Sequence, residues 1–243
     1  MFSIFNKHRE PIKLWFSTDI HAHILPGIDD GSPDPETSLQ LLEGMRDLGI
    51  TKVIASPHIT ENTFENNAET IDAAQAALDS AMADAGMTGI TVSHHAENRV
   101  DSLFMRNFKA GNLLTLPGKV LLIENSFVQE PWGLEQLIYD LQVAGYTPVM
   151  AHPERFHYYT PQRLRELHRK VDFQVNMLSL AGYYGKNIRK RAEEMMEMHL
   201  IDYLGTDTHN MTHVEAIRDY LGTKNAVKDR EILAPLIKNS RFD

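Results

Sequence analysis

Residues 19–31 read DIHAHILPGIDDG, and this stretch decides how the rest of the chain is interpreted. The preceding residues, 14–18, are apolar or β-favouring, so they predict a buried strand. Residues two apart on a strand point to the same side, which brings His21 and His23 together. A turn rich in proline and glycine then returns Asp30 over the strand end. Two imidazoles and a carboxylate indicate a site for zinc, manganese or iron, although core or surface histidines near a turn would show the same motif.

The composition describes an acidic chain without cysteine. Its 243 residues carry a formal net charge of −9, which argues against a general nucleic-acid or anionic-membrane binder. The lack of cysteine excludes disulfides, thiolate catalysis and cysteine-based zinc sites, and it agrees with a cytoplasmic protein. The apolar residues at positions 2–5 are too few for a signal peptide, and no apolar run reaches transmembrane length. We therefore expect no direct insertion into a membrane.

Strand-like and helix-like segments alternate along the chain. After the opening strand, the predicted strands are residues 51–56, 90–97, 120–124, 147–152, 172–177 and 201–206. Such alternation predicts a parallel sheet with right-handed crossovers. Seven repeated units predict an α/β fold of the β/α-barrel (TIM-like) type, one unit short of the common eight, with residues 1–243 in a single domain. The alternative is an open doubly wound sheet, but no glycine-rich phosphate loop follows the first strand.

Start and stop signals place the helices between these strands. The first helix is expected to begin at a cap on Ser32 or Asp34 and to end at Gly49. Further helices are predicted at residues 65–85, 132–144, 161–170 and 186–199. The tail from residue 212 predicts two helices with a break near Gly222, whereas residues 98–118 show no clear pattern.

Nearly every predicted strand ends in a residue that can bind a metal ion. The candidates are His21, His23, Asp30, His58, Glu97, Glu124, His152, Asp207 and His209. In parallel β/α folds the carboxyl ends of the strands form the functional face, so these side chains are expected to converge. Glu124 ends an otherwise apolar strand, where an unpaired carboxylate would be costly to bury. The set exceeds the needs of one ion and predicts two or three ions that share an activated water.

One arginine lies close to this set in the sequence. Arg155 follows His152 by three residues and is expected to clamp a phosphate with two hydrogen bonds, the alternative being a surface pair with Glu154 or Asp172. We expect Arg155, Asp207 and His58 to take part in catalysis. Two further groups stay open: His95 either lines the site or is a core histidine, and four tyrosines either rim an entrance for an aromatic side chain or pack loops. These tyrosines are Tyr158, Tyr159, Tyr183 and Tyr184.

Several short motifs together resemble a known superfamily. They are residues 19–23, 29–31, 96–97, 123–126, 151–156 and 206–210. The chain is similar to the PHP (polymerase and histidinol phosphatase) superfamily, and within it to the bacterial capsule-type, manganese-dependent protein-tyrosine phosphatases. The most specific marks are LPGIDDG at 25–31 and HPER at 152–155, and the resemblance extends over residues 15–221.

The resemblance implies a distorted seven-stranded barrel that holds three metal ions. One ion would be held by His21, His23, Glu97 and Asp207; a second by the bridging Glu97 with Glu124 and His152; and a third by Asp30, His58 and His209. Manganese (Mn2+) is the implied metal, and iron or zinc would suit the same ligands. Arg155 matches the family arginine that contacts phosphate.

The resemblance also implies a reaction and a partner. The substrate class is protein phosphotyrosine, typically the tyrosine-rich tail of a membrane tyrosine kinase that controls capsule or exopolysaccharide export. A metal-bridged hydroxide would attack phosphorus in line. Many family members carry an Arg-Pro pair shortly after the last metal motif, but residues 210–215 here read NMTHVE, so that second arginine is missing.

Three other functions share some of these features. A small-molecule PHP phosphatase, such as a histidinol-phosphate hydrolase, would need the same metal ligands. An amidohydrolase shares the barrel and the paired histidines but usually needs a modifiable lysine at the fourth strand, where this chain has Glu124. A non-catalytic metal-binding or regulatory module would need the ligands without Arg155. The sequence leaves the oligomeric state open.

Overall fold

Parallel strands and helices alternate through residues 13–243, the part of the chain that the computed structural model describes. The strands are β1 (Thr18–Asp19), β2 (Lys52–Ala55), β3 (His58–Ile59), β4 (Thr91–His94), β5 (Glu97–Arg99), β6 (Val120–Glu124), β7 (Thr147–Ala151), β8 (Asp172–Asn176) and β9 (Tyr203–Gly205). The α-helices are α1 (Pro35–Asp47), α2 (Ala68–Asp84), α3 (Ser102–Ala110), α4 (Leu134–Val143), α5 (Pro161–His168), α6 (Met177–Ala181), α7 (Lys186–Glu197), α8 (Met211–Leu221) and α9 (Lys224–Leu233). The predicted α/β class is confirmed, while residues 1–12 of the predicted domain lie outside the described residues.

The strands form two parallel sheets that continue into each other. One sheet has the order β1-β2-β4, and the other has the order β3-β5-β6-β7-β8-β9. Between the sheets, the N–H of Glu97 donates to the carbonyl oxygen of Pro57 at 3.1 Å, so the ladder carries on across the break. Beyond β1 and β9, Ala22 and Thr208 form a parallel bridge. The carboxyl ends of strands from both sheets therefore meet.

The observed strands differ from the predicted seven strands of a single barrel. The predicted strand at 51–56 is followed by β3, a separate strand, because Pro57 between them has no N–H to continue the ladder of β2. The predicted strand at 90–97 is likewise divided into β4 and β5, which pair with different neighbours. The opening strand is reduced to the two residues of β1. Hydrophobic alternation did not reveal these breaks because neither coincides with a chain reversal.

The helix signals were read correctly at three ends. The side chain of Asp34 accepts from the N–H of Thr37 at the start of α1, and that of Thr160 caps α5 in the same way. The two tail helices are separated at Gly222, as predicted. The unpatterned residues 98–118 contain α3, and α6 was not predicted. Among residues 13–243, no helix combines the length and apolar character needed to cross a bilayer.

The core lies between the strands and the surrounding helices. Strand β6 is buried along its whole length, as expected for a parallel strand that is covered on both faces. Helix α1 buries Leu41 and Met45 on the face that packs inward. This packing holds the strands in place and thereby positions the side chains at their carboxyl ends.

Gly205 permits a close approach between β9 and His21. A Cβ atom at this position would lie 2.6 Å from Cβ of His21 and 2.8 Å from Nε2 of Gln174. Real Cβ atoms do not come so close to other atoms, so any side chain here would push both neighbours aside. The glycine thus sets the distance between two strand ends that carry polar side chains.

We expect Gly205→Ala to lower the free energy of unfolding by about 1–3 kcal/mol, because the methyl group overpacks a buried contact. Urea denaturation measures the change. Gly222→Ala is the matched control, since its Cβ would meet only the carbonyl oxygen of Asp219 at 3.3 Å and its φ of −72° suits alanine. The control should stay within about 0.5 kcal/mol of the wild type. Equal losses in both variants would contradict this explanation.

Asp202 should make stability depend on acid pH. Burial raises the pKa of its carboxyl, but hydrogen bonds from His168 and Lys238 outweigh burial and lower the pKa from 3.8 to about 2. A folded-state pKa below the unfolded one stabilises the protein above about pH 4, and this contribution is lost as pH falls towards 2. The stability difference between wild type and Asp202→Asn should therefore shrink between pH 5 and pH 2 in urea titrations. Asp84→Asn, at an exposed position, should show no such convergence.

Candidate metal centre

The structure brings all nine predicted metal ligands together. They come from different elements: His21 and His23 follow β1, Asp30 precedes α1, His58 opens β3, Glu97 opens β5, Glu124 ends β6, His152 follows β7, and Asp207 and His209 follow β9. Their ligand atoms form four groups, each with all atoms within 4.8 Å of one another: His23, Asp30, His58 and His209; His21, His152 and Asp207; His21, His23 and Glu97; and His58, Glu97 and Glu124. The groups share members, so they form one continuous cluster.

Glu97 occupies the middle of the cluster. Its Oε2 lies 3.3 Å from Nε2 of His21, 3.4 Å from Nε2 of His23 and 3.1 Å from Nδ1 of His58. Its other oxygen, Oε1, lies 3.0 Å from Nε2 of His152. The carboxylate thus contacts at least one imidazole of each of the four groups, and its side chain is fully buried.

Neighbouring side chains set the orientation of two histidines. The amide Nε2 of Gln174 donates to Oδ1 of Asn176 at 2.9 Å, so Oε1 of Gln174 is left to accept from Nδ1 of His21 at 2.6 Å. The carboxylate of Asp29 accepts from Nδ1 of His23 at 2.9 Å. Each ring therefore turns the lone pair of its Nε2 towards the cluster, the usual arrangement of metal-binding histidines.

Besides Nδ1 of His152, four buried polar atoms in the cluster have no hydrogen-bond partner in the described part of the chain. They are Nε2 of His21, Nε2 of His23, Nδ1 of His58 and Oε2 of Glu97. An unpaired buried polar atom is costly, and these four face one another. A divalent cation would accept a lone pair from each of them. The residues present thus fit metal ions that take mixed imidazole and carboxylate ligands, such as manganese, iron or zinc.

The charges of the cluster stabilise the ionised carboxylates. Burial lowers the pKa of His21, but the charges of Glu97 and Asp207 raise it to about 9. Burial raises the pKa of Glu97, yet the imidazoles of His21 and His58 hold it well below its usual range. A hydrogen bond from His209 lowers the pKa of Asp30 to about 2 against the effect of burial. The carboxylates of Glu97 and Asp30 are therefore charged at neutral pH and available to cations.

A cavity of about 360 Å³ opens over the cluster. It is lined by Asp30, His58, Glu97, Glu124, Phe127, His152, Arg155, Tyr184, Asp207, His209, Asn210 and His213. The side chain of Asp30 is 58% exposed, whereas that of Asp207 is buried, so the first marks the open rim and the second the floor. One side of the cavity carries candidate cation ligands, and the positively charged Arg155 lies beside them.

Arg155 lies in this cavity and is held on three sides. One guanidinium nitrogen donates to Oδ2 of Asp207 at 2.9 Å. The guanidinium carbon is 4.9 Å from the ring centroid of Phe127 and 4.4 Å from that of Tyr184. The alternative pairing with Glu154 or Asp172 is absent from the ion pairs of the described residues. Arg155 is thus fixed beside the predicted metal ligands.

The structure separates the residues that the sequence left undecided. Tyr184 lines the cavity, whereas Tyr158 and Tyr159 pack against each other with their ring centroids 4.6 Å apart. Tyr183 lies 4.9 Å from the ring of His213. His95 is a core histidine: its Nε2 lies 2.9 Å from the carbonyl oxygen of Ile20, and burial lowers its pKa to about 3.

Three side chains at the site were missed by the sequence interpretation. Gln174 could have been found, since it is a polar residue in the buried strand β8 and shares a strand face with Asn176. His213 follows His209 by four residues at the start of α8, and its Nδ1 accepts from the N–H of His209 at 3.2 Å. Phe127 had no signal, because it lies on a connection without periodicity.

Known proteins resemble this chain over most of its length. Residues 17–219 match the family model described as Capsular polysaccharide synthesis, CpsB/CapC. The chain is 34% identical over 197 residues to the tyrosine-protein phosphatase YwqE of Bacillus subtilis (strain 168), covering 79% of this chain and 77% of that protein. It is 28% identical over 200 residues to the putative tyrosine-protein phosphatase CapC of Staphylococcus aureus, covering 80% and 78%.

A solved structure is similar as well. It belongs to work described as crystal structures of YwqE from Bacillus subtilis and CpsB from Streptococcus pneumoniae, unique metal-dependent tyrosine phosphatases. The similarity has a TM-score of 0.77 at 29% sequence identity and covers 91% of this chain and 95% of that chain. Similarity of sequence and similarity of fold therefore relate this chain to the same group of proteins.

We expect Glu97→Gln to reduce the number of ions that each chain retains, because the amide loses the charge that several imidazoles share. Elemental analysis after saturation with Mn2+ and gel filtration counts the ions per chain. Glu69→Gln, at an exposed position in α2, is the matched control and should keep the wild-type count. If Glu97→Gln retained the wild-type count, the central place given to this carboxylate would be wrong.

Proposed function

Because the chain belongs to the CpsB/CapC family of capsular polysaccharide synthesis proteins, we propose that it is a metal-dependent phosphatase that hydrolyses phosphotyrosine in proteins. The observation that carries this proposal is the cavity in which seven of the nine candidate metal ligands lie beside Arg155. A cysteine-based phosphatase is excluded, since the chain has no cysteine. The relatives named tyrosine-protein phosphatases support the substrate class.

Arg155 would bind the phosphate of the substrate. Its guanidinium presents parallel N–H groups that match two phosphate oxygens, and its charge is permanent. The pair with Asp207 and the flanking rings of Phe127 and Tyr184 hold this fork in place before the substrate arrives. Little orientational freedom then remains to be lost when the phosphate binds.

The cluster would hold the metal ions on the other side of the phosphate. We propose two or three Mn2+ ions, with Glu97 shared between neighbouring positions; iron or zinc would suit the same ligands. When bound, such ions supply an acidified water and neutralise charge on the transferring group. Asp207 would contact both the metal ligands and the phosphate-binding arginine, since its Oδ1 lies 3.4 Å from Nε2 of His21 while its Oδ2 accepts from Arg155.

His58 lies at the accessible side of the cluster. Its side chain is 15% exposed, its Nε2 lies 3.5 Å from Oδ1 of Asp30, and its ring stacks on that of Phe64 at 5.7 Å. We propose that His58 contacts the reacting groups from this side, while Asp207 positions Arg155 from below. Both residues would then take part in the reaction as well as in metal binding.

The proposed partner is the phosphotyrosine-containing tail of a membrane tyrosine kinase that controls capsule or exopolysaccharide export. This partner would place the phosphatase in the cytoplasm, where such tails lie. We also propose that residues 1–243 act as one domain of the PHP type. In that case the two sheets are parts of one distorted barrel of seven segments, which the ladder contact at Glu97 and the bridge at Ala22 support.

The proposal is tested with a phosphotyrosyl peptide and the Mn2+-loaded protein. We expect turnover that chelation abolishes, and no comparable turnover of histidinol phosphate. Arg155→Lys should lower kcat/KM about 10- to 100-fold, because it keeps the charge but loses a charge-assisted hydrogen bond. Arg165→Lys, exposed on α5, is the matched control and should match the wild type.

Two results would overturn this function. If the loaded protein cleaved no aryl phosphate, it would be a metal-binding module without this catalytic activity. If histidinol phosphate were the faster substrate, the small-molecule phosphatase would replace the protein phosphatase.

A further inference from the structure

The connection between β6 and α4 exposes large apolar side chains beside the cavity. Trp132 is 99% exposed, Val128 is 85% exposed and Phe127 is 40% exposed. We call these three residues the apolar strip. A tryptophan with nearly its whole surface in water contributes little to folding, so its exposure indicates an interaction surface.

The apolar strip stands on a fixed loop. The hydroxyl of Tyr158 donates to the carbonyl oxygen of Ser126 at 2.8 Å at one end of the loop. Arg163 donates to both oxygens of Glu130, at 3.0 and 2.7 Å, nearer the other end. The exposed side chains are thus presented by a loop that is tied to the body of the protein at two points.

The apolar strip is continuous with the candidate active site. Phe127 lines the catalytic cavity, where its ring stacks on His152 at 5.8 Å and lies against Arg155. Trp132 lines a separate groove of about 570 Å³ that also contains Val100, Met105 and Leu137. Phe127 and Trp132 are five positions apart in the chain and therefore at most about 18 Å apart, so one extended polypeptide could cover both.

The charge of the groove restricts its ligand. The charged residues that line it are Asp101 and Asp140, and no lysine or arginine does so. Acidic segments would be repelled there, whereas neutral or basic segments with an apolar side chain would be accommodated. A second copy of this acidic chain is a poorer occupant, since it would also cover the cavity that Phe127 lines.

We propose that the apolar strip and its groove bind the polypeptide that flanks the phosphotyrosine, through an apolar residue within about six positions of it. This inference rests on the proposed function and extends it: Arg155 and the metal ligands take the phosphate, and Trp132 selects the surrounding sequence. Small aryl phosphates use the cavity alone and do not reach Trp132.

Binding is measured independently of turnover by tryptophan fluorescence. The chain has two tryptophans, so Trp15→Phe leaves Trp132 as the only one. The ligands are peptides that carry a non-hydrolysable phosphonate analogue of phosphotyrosine, flanked either by leucine and lysine or by glycine and serine. With the Mn2+-loaded protein, the leucine peptide should shift the emission of Trp132 to shorter wavelength and saturate at a lower concentration than the glycine peptide. No shift with either peptide would overturn the proposal.

Kinetics then separate docking from catalysis. Trp132→Ser should raise KM for the leucine-flanked phosphotyrosyl peptide about tenfold with kcat retained, as for a central interface tryptophan. Turnover of p-nitrophenyl phosphate should stay within about twofold. Tyr139→Ser is the matched control, since Tyr139 is a 60% exposed aromatic residue on α4 outside the groove, and it should change neither substrate.

Other outcomes are distinguishable from these. An equal loss with p-nitrophenyl phosphate would show that Trp132 acts on the catalytic cavity, and the docking surface would be wrong. A wild-type dimer that Trp132→Ser converts to a monomer in light scattering would assign the apolar strip to a second copy instead, and would also overturn the proposal. A wild type that cleaves neither substrate sinks the phosphatase function, while the fluorescence result still decides whether peptides bind.

Discussion

The buried carboxylate of Glu97 faces four imidazoles, and the rest of the site is arranged around that charge. Its two oxygens lie between 3.0 and 3.4 Å from nitrogens of His21, His23, His58 and His152. A carboxylate so deeply buried is costly unless positive charge compensates it. Protonated imidazoles provide part of that compensation in the protein alone. When these rings lose their protons, their inward nitrogens would offer lone pairs to cations instead.

A second layer of residues fixes these groups and therefore determines what the cluster can bind. Gln174 and Asp29 each accept from Nδ1 of a histidine, which leaves Nε2 free on the inner side. Gly31 allows the turn to approach His23 so closely that a Cβ there would lie 2.1 Å from the carbonyl oxygen of His23. Hydrogen bonds to neighbouring side chains and close backbone packing thus position the histidines, just as the strands position the site as a whole.

The absence of a second arginine after the last metal motif agrees with the close packing of α1 against α8. Val214 lies in the segment 210–215, where the expected Arg-Pro pair is missing, and it is fully buried. Its Cγ1 would lie 2.8 Å from a Cβ placed on Gly44 of α1, so the two helices approach closely here. A long cationic side chain does not fit this contact. In the proposed function, phosphate binding would therefore rely on Arg155, which two aromatic rings and Asp207 hold in position.

The sequence by itself determined the class of fold, several helix ends and the identity of the candidate ligands that cluster, because those depend on local patterns: strand–helix alternation, caps such as Asp34, and polar residues at the ends of apolar strands. Tertiary structure alone decided which strands break and which neighbours orient the ligands. The changes of pairing partner after Pro57 and before Glu97 depend on which strand lies alongside, and the roles of Gln174 and Phe127 depend on contacts between segments far apart in the chain. Such contacts exist only after the chain has folded, so no local pattern of residues encodes them.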